Sequence, residues 1–588
     1  VSVLSRDPGS DVEESGRRTL DPAPSAPRRW LNTLWWWTRG RYAVPGNQVQ
    51  TPRHAYALSS LRHRLLGPTT PLTPLVWLWV MIPAVLGGLL RFVRLDSPNK
   101  LVFDETYYVK DAYSYLQNGV EKAWADVKVT ENGKEITKKV NDLFVSGDYS
   151  GLGTDPSFVV HPPLGKWMIA WGMRIFGADN GFGWRFSAAL VGTLAIIVLA
   201  LVAYRLFASL PLAVLAGLFF AVDGHAIVQS RTALLDIFLM FWLLLAFGAL
   251  LMDRYASRAI LARKVAALAA ASPDGRPSAR EMLYGPFLGW RPWRLVAAVL
   301  LGCAVGTKWS ALAFIGVFGL MTLAWDASAR RVVGVRHWIT GALLRDGVFA
   351  ALTVLPTIVL VYLSTWTGWL MSKDGYDRTW AQDNSSGFWD FLPNWLRSLV
   401  EYHRAAYAFH QGLSSPHPYS SPAIEWLLMI RPTSYSFDNV PITNPDGSET
   451  KMVEAVTSLG NPLIWWLGTL ALLVALFCWI VRRDWRAGAI LAGIAAGYLP
   501  WFMYPNRTMF FFYAIAFEPF LILALVYVLG LVLGPPQLSA RLRRPRWIIV
   551  GAITVLILAV SAFFLPIWTS ERIPFDMWQI RMWLPRWI

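Results

Sequence analysis

The 588-residue chain alternates between long apolar windows and polar stretches of very unequal length. Windows near the ~20 apolar residues that a helix needs to cross a bilayer fall at about residues 72–92, 183–204, 209–226, 233–252, 293–307, 309–325, 347–370, 462–481, 487–504, 509–533 and 547–568. The pattern predicts eleven membrane spans, with very short connections around 308 and 505. Two polar stretches, about 93–182 and 371–461, are long enough to hold structure of their own.

The first of these begins with Phe103-Asp104-Glu105. Tyr108, Val109, Ala112, Tyr115 and Leu116 then recur at helical spacing among Lys110, Asp111, Ser114 and Gln117. That spacing predicts an amphipathic helix lying at the membrane interface, which Gly119 can end. Residues 127–140 alternate around Asn132-Gly133, the dipeptide that best supplies the positive φ of a tight turn, and predict a small β-hairpin. His161-Pro162-Pro163 opens a second helix, with Leu164, Trp167, Met168, Trp171 and Ile175 on one stripe before Gly177.

Charge adds orientation. The net charge of +16 is carried by short clusters between the apolar windows: Arg53, Arg62 and Arg64; Arg254, Arg258, Arg263 and Lys264; Arg330, Arg331 and Arg336; Arg482, Arg483 and Arg486; and Arg541, Arg543, Arg544 and Arg546. A cytoplasmic N-terminus puts every cluster on the inner side. It also puts both long connections outside, with the C-terminal tail carrying Trp578, Trp583 and Trp587. Clusters of this kind set topology and form no stripe for nucleic acid, so no nucleic-acid partner is expected. A hydrophobic fraction of 55% and a mean hydropathy of +0.38 exclude an ordinary soluble domain. Cys303 and Cys478 both lie inside apolar windows, which excludes a disulfide framework or a cysteine metal site. Residues 1–28 read as a disordered tail, and Trp35-Trp36-Trp37 among arginines as a segment suited to an anionic membrane surface. No cleaved signal sequence is expected, because the first apolar run begins near Pro71 and no small-residue cleavage site follows it.

Four motifs appear in order over about residues 72–520. They are Phe103-Asp104-Glu105 with its Tyr-rich helix; His161-Pro162-Pro163-Leu164-Gly165-Lys166; Ser230-Arg231-Thr232-Ala233-Leu234-Leu235-Asp236; and His417-Pro418-Tyr419 followed by Leu428-Met429-Ile430-Arg431-Pro432. Together they resemble the protein O-mannosyltransferases of bacterial type, without the large β-trefoil insert of the eukaryotic pattern. The resemblance implies an all-α polytopic membrane protein, a GT-C-type bundle of about eleven transmembrane helices with two large extracytoplasmic loops. It implies a polyprenyl-phosphate-mannose donor, mannose transfer with inversion to serine and threonine hydroxyls of polypeptides crossing the plasma membrane, and contact with membrane lipid. The chain then divides into a cytoplasmic tail (1–71), a catalytic membrane module (72–370), a second outer loop (371–461) and a C-terminal membrane module with an outer tail (462–588).

Phosphate leaves as a stabilised anion, so one carboxylate base can suffice where glycosidases use two. Asp104 is expected to take the hydroxyl proton, and Glu105 to orient the acceptor or the base; the competing reading makes Asp104 a helix N-cap. Developing phosphate charge calls for fixed cations, and Arg185, Lys166, Arg231, Lys308 and Arg507 all fall near the outer side. Each could instead be an anchor that snorkels to the headgroups. His161 and His417, both held by a following proline, either cap loops or meet sugar and phosphate. Asp236 sits in an apolar window, where a charge costs about 2.5–3.5 kcal/mol, and is expected to pair with a cation such as Arg231. The Asp104-Glu105 pair with the outer histidines could bind a divalent ion, but the spacing is not diagnostic, so no obligatory metal or other cofactor is expected. Phe510-Phe511-Phe512-Tyr513 reads as interfacial packing. The alternatives are a GT-C transferase with a lipid or glycan acceptor and a secondary transporter. Transport fits less well, because no internal repeat is found.

Overall fold

The computed structural model describes residues 55–588 except 69, 132, 133, 444, 445 and 447. The expectations for residues 1–54 and for the Asn132-Gly133 turn therefore lie outside the described residues.

Helices form in every apolar window. In chain order the principal helices are α1 (Leu58–Leu66), α2 (Pro74–Phe92), α3 (Glu105–Asn118), α4 (Leu164–Phe176), α5 (Gly181–Phe207), α6 (Leu210–Val222), α7 (Gly224–Ser230) and α8 (Leu235–Ala270). They continue with α9 (Pro292–Val305), α10 (Ala311–Val332), α11 (Trp338–Thr365), α12 (Asn394–Gly412), α13 (Pro462–Ile480), α14 (Trp485–Tyr498), α15 (Glu518–Leu533) and α16 (Ala540–Phe564).

The expected count of eleven spans is not confirmed. Among the described residues, seven helices are long and apolar enough to cross a membrane, or eight if α6 and α7, bent by 63°, make one broken span. The windows at 293–307, 487–504 and 509–533 hold helices of 14, 14 and 16 residues. Apolar composition continues beyond them into irregular or 3-10 backbone around Lys308, Pro500 and Phe511, so a hydropathy window overstates the helix. Asp223 breaks the α6–α7 pair: its carboxylate accepts the His225 and Ala226 N–H groups and also that of Asn461. Gly224 follows because a Cβ there would collide with the Trp568 ring.

The two long connections pack together at one end of the bundle. α3 ends at Gly119, in the left-handed region at φ 71°, as the pattern predicted. β1 (Lys122–Trp124) pairs antiparallel with β4 (Leu152–Pro156), and β2 (Val127–Glu131) with β3 (Lys134–Lys138), which realises the expected hairpin. In the second connection β5 (Thr433–Asn439) pairs with β6 (Met452–Ser458), which also pairs with β7 (Arg572–Pro574) of the C-terminal tail. Tyr402 of α12 exchanges hydrogen bonds with the Val159 backbone, and Lys100 meets Asp438, joining the connections to each other.

At the opposite end, α1 packs on the extension of α8 through Leu61, Leu65, Leu261 and Val265. Several arginines of the basic clusters are buried there. Arg254 lies over the Trp485 ring, and Arg330 pairs with Asp346 through two hydrogen bonds of 2.7 and 3.0 Å. These charges serve packing between helices as well as the net charge of the loops.

Candidate active site

The acidic motif is held by backbone geometry and by one buried ion pair. Phe103 adopts φ 48°, a left-handed conformation that costs a bulky residue roughly 1–2 kcal/mol. Its ring offsets the cost by stacking on Tyr435 of β5 at 4.9 Å and meeting Phe510 and Phe512 edge-on at 5.6 and 5.4 Å. The twist turns the following carboxylates in different directions.

Glu105 is fully buried and saturated. Oε1 accepts from Arg185 Nε and the Ala233 N–H, both at 2.8 Å; Oε2 accepts from Arg185 Nη2 and the Val102 N–H, both at 2.9 Å. Arg185 spends its remaining donors on the carbonyls of Leu95, Pro98 and Lys100. The expectation that Arg185 meets phosphate does not fit this geometry, because no donor is left for one. Glu105 likewise has no free oxygen for an acceptor; it ties the first connection to α5 and to the start of α8. Replacing Arg185 by Met is expected to destabilise the fold by about 3–5 kcal/mol, since it strands a buried carboxylate. Thermal unfolding in detergent checks this, and an R185M protein as stable as wild type would refute it.

Asp104 stands at the N-cap position of α3, yet its side chain makes no capping hydrogen bond. The carboxylate is therefore not spent on the helix. Burial pushes it up to about 6, against the lowering effect of Lys308 and with a smaller raising effect from Asp236.

Lys308 and Asp236 lie where the irregular backbone between α9 and α10 meets the start of α8. Lys308 Nζ donates to both Asp236 oxygens at 2.9 and 3.0 Å and sits 4.3 Å from the centre of the Tyr513 ring. This corrects the expected Asp236–Arg231 pair. Arg231 instead donates to the carbonyls of Leu90, Arg91, Val93 and Arg94, closing the end of α2, and has no role toward a phosphate in this arrangement. Lys166 is also withdrawn: it is buried against Glu121 at 2.8 Å and Asp111 at 3.8 Å. Of the five cations proposed from sequence, Lys308 and Arg507 line a common cavity.

That cavity, about 260 Å³, has both polar and apolar lining. Its lining combines His161, Asp236, Lys308, His410 and Arg507 with Leu312, Ala313 and Phe314 of α10 and Ala496 and Gly497 of α14. Arg507 Nε donates to the His410 carbonyl at 3.0 Å, while its Nη1 is buried and has no hydrogen-bond partner. The His161 and His410 rings lie 5.0 Å apart. Burial, helped by the charge of Lys308, holds His161 well below the usual imidazole range, and burial pushes His410 down to about 4. Both are neutral at pH 7, so the cations at the cavity are Lys308, which is paired with Asp236, and Arg507, which pairs with no carboxylate among the described residues. His417 is elsewhere: it is exposed on the rim, with its ring against Phe510 at 4.9 Å and its Nδ1 accepting the Tyr419 N–H. That contact fits the loop-capping reading.

Sequence reasoning missed His410, Tyr513 and the group that carries them. His403 contacts the Tyr362 hydroxyl at 2.5 Å and stacks on Trp309, next to Lys308. His403 and His410 are two turns apart on α12, a spacing that could have marked one functional face. Among the described residues, no group of three or more His, Cys, Asp or Glu side chains is placed to hold a metal ion.

A helical membrane bundle with a carboxylate and two cations gathered at an amphipathic cavity is the architecture of a GT-C-type membrane glycosyltransferase. The fold matches the S. cerevisiae protein O-mannosyltransferase Pmt1-Pmt2 complex bound to the sugar donor, with a TM-score of 0.63 at 16% identity, covering 90% of this chain and 94% of that one. A family model described as dolichyl-phosphate-mannose-protein mannosyltransferase matches residues 175–271, and one for the C-terminal four TMM region of protein-O-mannosyltransferase matches residues 395–587. The polyprenol-phosphate-mannose–protein mannosyltransferase of Mycolicibacterium smegmatis (strain MKD8) is 37% identical over 521 residues, 87% of this chain and 93% of the relative. That of Mycobacterium tuberculosis (strain ATCC 25618 / H37Rv) is 35% identical over 523 residues, 87% and 92%. The chain belongs to the protein O-mannosyltransferase family and is a glycosyltransferase.

Proposed function

We propose that the protein transfers mannose from a polyprenyl-phosphate donor to serine or threonine hydroxyls of polypeptides, with inversion, at the outer face of the plasma membrane. The observation that carries this is the convergence of Lys308 and Arg507 on a cavity that is also lined by apolar residues of α10 and α14. Phosphate suits the two cations and a prenyl chain the apolar lining. The relatives' names supply mannose and a protein acceptor. The basic clusters support a cytoplasmic N-terminal side and a site outside.

In this reading the acceptor hydroxyl attacks the anomeric carbon from the face opposite the phosphate, and the carbon–oxygen bond to phosphate breaks as the new one forms. Asp104 takes the hydroxyl proton. Lys308 and Arg507 meet the charge that develops on the leaving phosphate. His161 and His410, neutral, line the same cavity and can exchange hydrogen bonds with the sugar. Lys308 and Arg507 can supply the cationic charge in this reading, which therefore includes no obligatory metal. Full activity in a chelator is expected; loss that one divalent ion restores would overturn this.

The test is incubation of protein in nanodiscs with polyprenyl-phosphate mannose and a Ser/Thr-containing peptide, read as a hexose increment by intact mass. Transfer to a lipid or glycan, with no increment on the peptide, would assign the acceptor class differently.

A further inference from the structure

The second connection carries an apolar surface that the cavity does not use. The single turn Gly387–Phe391 displays Phe388, Trp389 and Phe391, which are 81%, 56% and 69% exposed. Their rings pack on one another at 5.2–6.0 Å. The turn is built to hold them outward. Asp390, between them, accepts from Ser385 Oγ and the Ser386 N–H and pairs with Arg397 at 2.7 Å, and Arg397 in turn donates to the Asn384 carbonyl. A polar frame thus fixes three large rings facing away from the protein, in a chain where such patches mark interaction sites.

Position identifies the partner. Among the described residues α11 is the least buried of the seven long apolar helices, and Leu352 and Leu360 show that face. Trp366 and Trp369 follow directly and pack on Leu399 and Tyr402 of α12, so α12 rests on the end of the lipid-facing helix. Met371, between the two, is 82% exposed. The knuckle lies just before α12, the helix that packs on the end of α11.

We propose that the 387–391 knuckle inserts its aromatic rings into the bilayer leaflet nearest the site. Phe and Trp side chains favour the headgroup and acyl boundary, where an apolar body is buried and polar groups stay wet. The Asp390–Arg397 frame then lies at headgroup level. α12 runs as one helix from the knuckle to His410, whose carbonyl receives the Arg507 guanidinium. Insertion therefore braces the Arg507 wall of the cavity against the membrane, a consequence that rests on the function proposed above; the insertion does not.

The chain's two cysteines, Cys303 and Cys478, can be replaced by alanine and single cysteines introduced for an environment-sensitive fluorophore (NBD). Labels at Phe388→Cys and Phe391→Cys in nanodiscs are expected to emit at shorter wavelength than one at Asp374→Cys, an exposed position in the same connection. Acyl-chain nitroxide lipids are expected to quench them several-fold more strongly. Labels as water-accessible as the one at 374 would overturn the proposal, and so would shielded labels that lipid nitroxides do not quench, which would mean that protein covers the knuckle. This readout needs no turnover, so it stands or falls separately from the assignment of the reaction. For the brace, the F388S/F391S protein is expected to unfold at the wild-type temperature but to show a several-fold higher KM for donor in bilayers, and F388L/F391L to restore it. A serine variant with wild-type KM would remove the coupling to Arg507.

Discussion

Asp104→Asn protein is expected to keep its fold and bind donor normally, yet to turn over ~10²–10⁴ times more slowly, the range a positioned general base contributes. The change is nearly isosteric, and the carboxylate caps no helix. Stability therefore has little reason to move, and the loss should fall on kcat. The pH profile supplies an independent check. An Asp with an ordinary carboxyl, near about 3.9, would keep an enzyme active into acid. Burial pushes Asp104 up to about 6, so the required deprotonated form is lost as pH falls through about 6. An acid limb near that value in kcat/KM is expected for the wild type and should be absent from the residual activity of the variant. Wild-type turnover by a well-folded D104N protein would remove Asp104 from the chemistry.

The adjacent carboxylate shows what a motif alone could not reveal, namely that Glu105 is spent on a buried ion pair and not on the acceptor. Asp104 and Glu105 are equivalent in sequence, and the resemblance covers both. Their fates diverge because Phe103 takes a left-handed backbone, which aims Glu105 into Arg185 and the Ala233 N–H and leaves Asp104 outside that clamp. The interfacial helices, the hairpin and their glycine stops were legible because they depend on local periodicity. The helix boundaries in the bundle were less so: hydropathy sees Trp309 and Phe510 to Tyr513 as membrane interior, whereas the backbone there is irregular and lines or borders the site. Cation partners were the least legible. Asp236 and Arg231 are five residues apart in one motif, yet the carboxylate pairs with Lys308, 72 residues away, because the bend after α7 carries Arg231 to the end of α2. Sequence distance ranks such pairs poorly, since a buried charge takes whichever partner the folded helices present.

Of the two cations at the cavity, Arg507 gives the cleaner test. Removing Lys308 would leave Asp236 buried without its partner, a loss of about 3–5 kcal/mol in stability that would confound any rate effect. Arg507 pairs with no carboxylate among the described residues, and its Nη1 is an unused donor at the cavity. Arg507→Met is accordingly expected to unfold at nearly the wild-type temperature. Its turnover should fall by ~10²–10³, the cost of deleting one preorganised donor to developing charge. Arg507→Lys should recover part of that loss, because a lysine restores the charge but not the planar pair of donors that grips two phosphate oxygens. The order wild type, R507K, R507M in kcat/KM for donor, at constant thermal stability, is what a phosphate contact requires. An Arg507 that only bridges loops through the His410 carbonyl predicts the reverse: a loss of stability, with kcat/KM recovering at low temperature where the fold is intact.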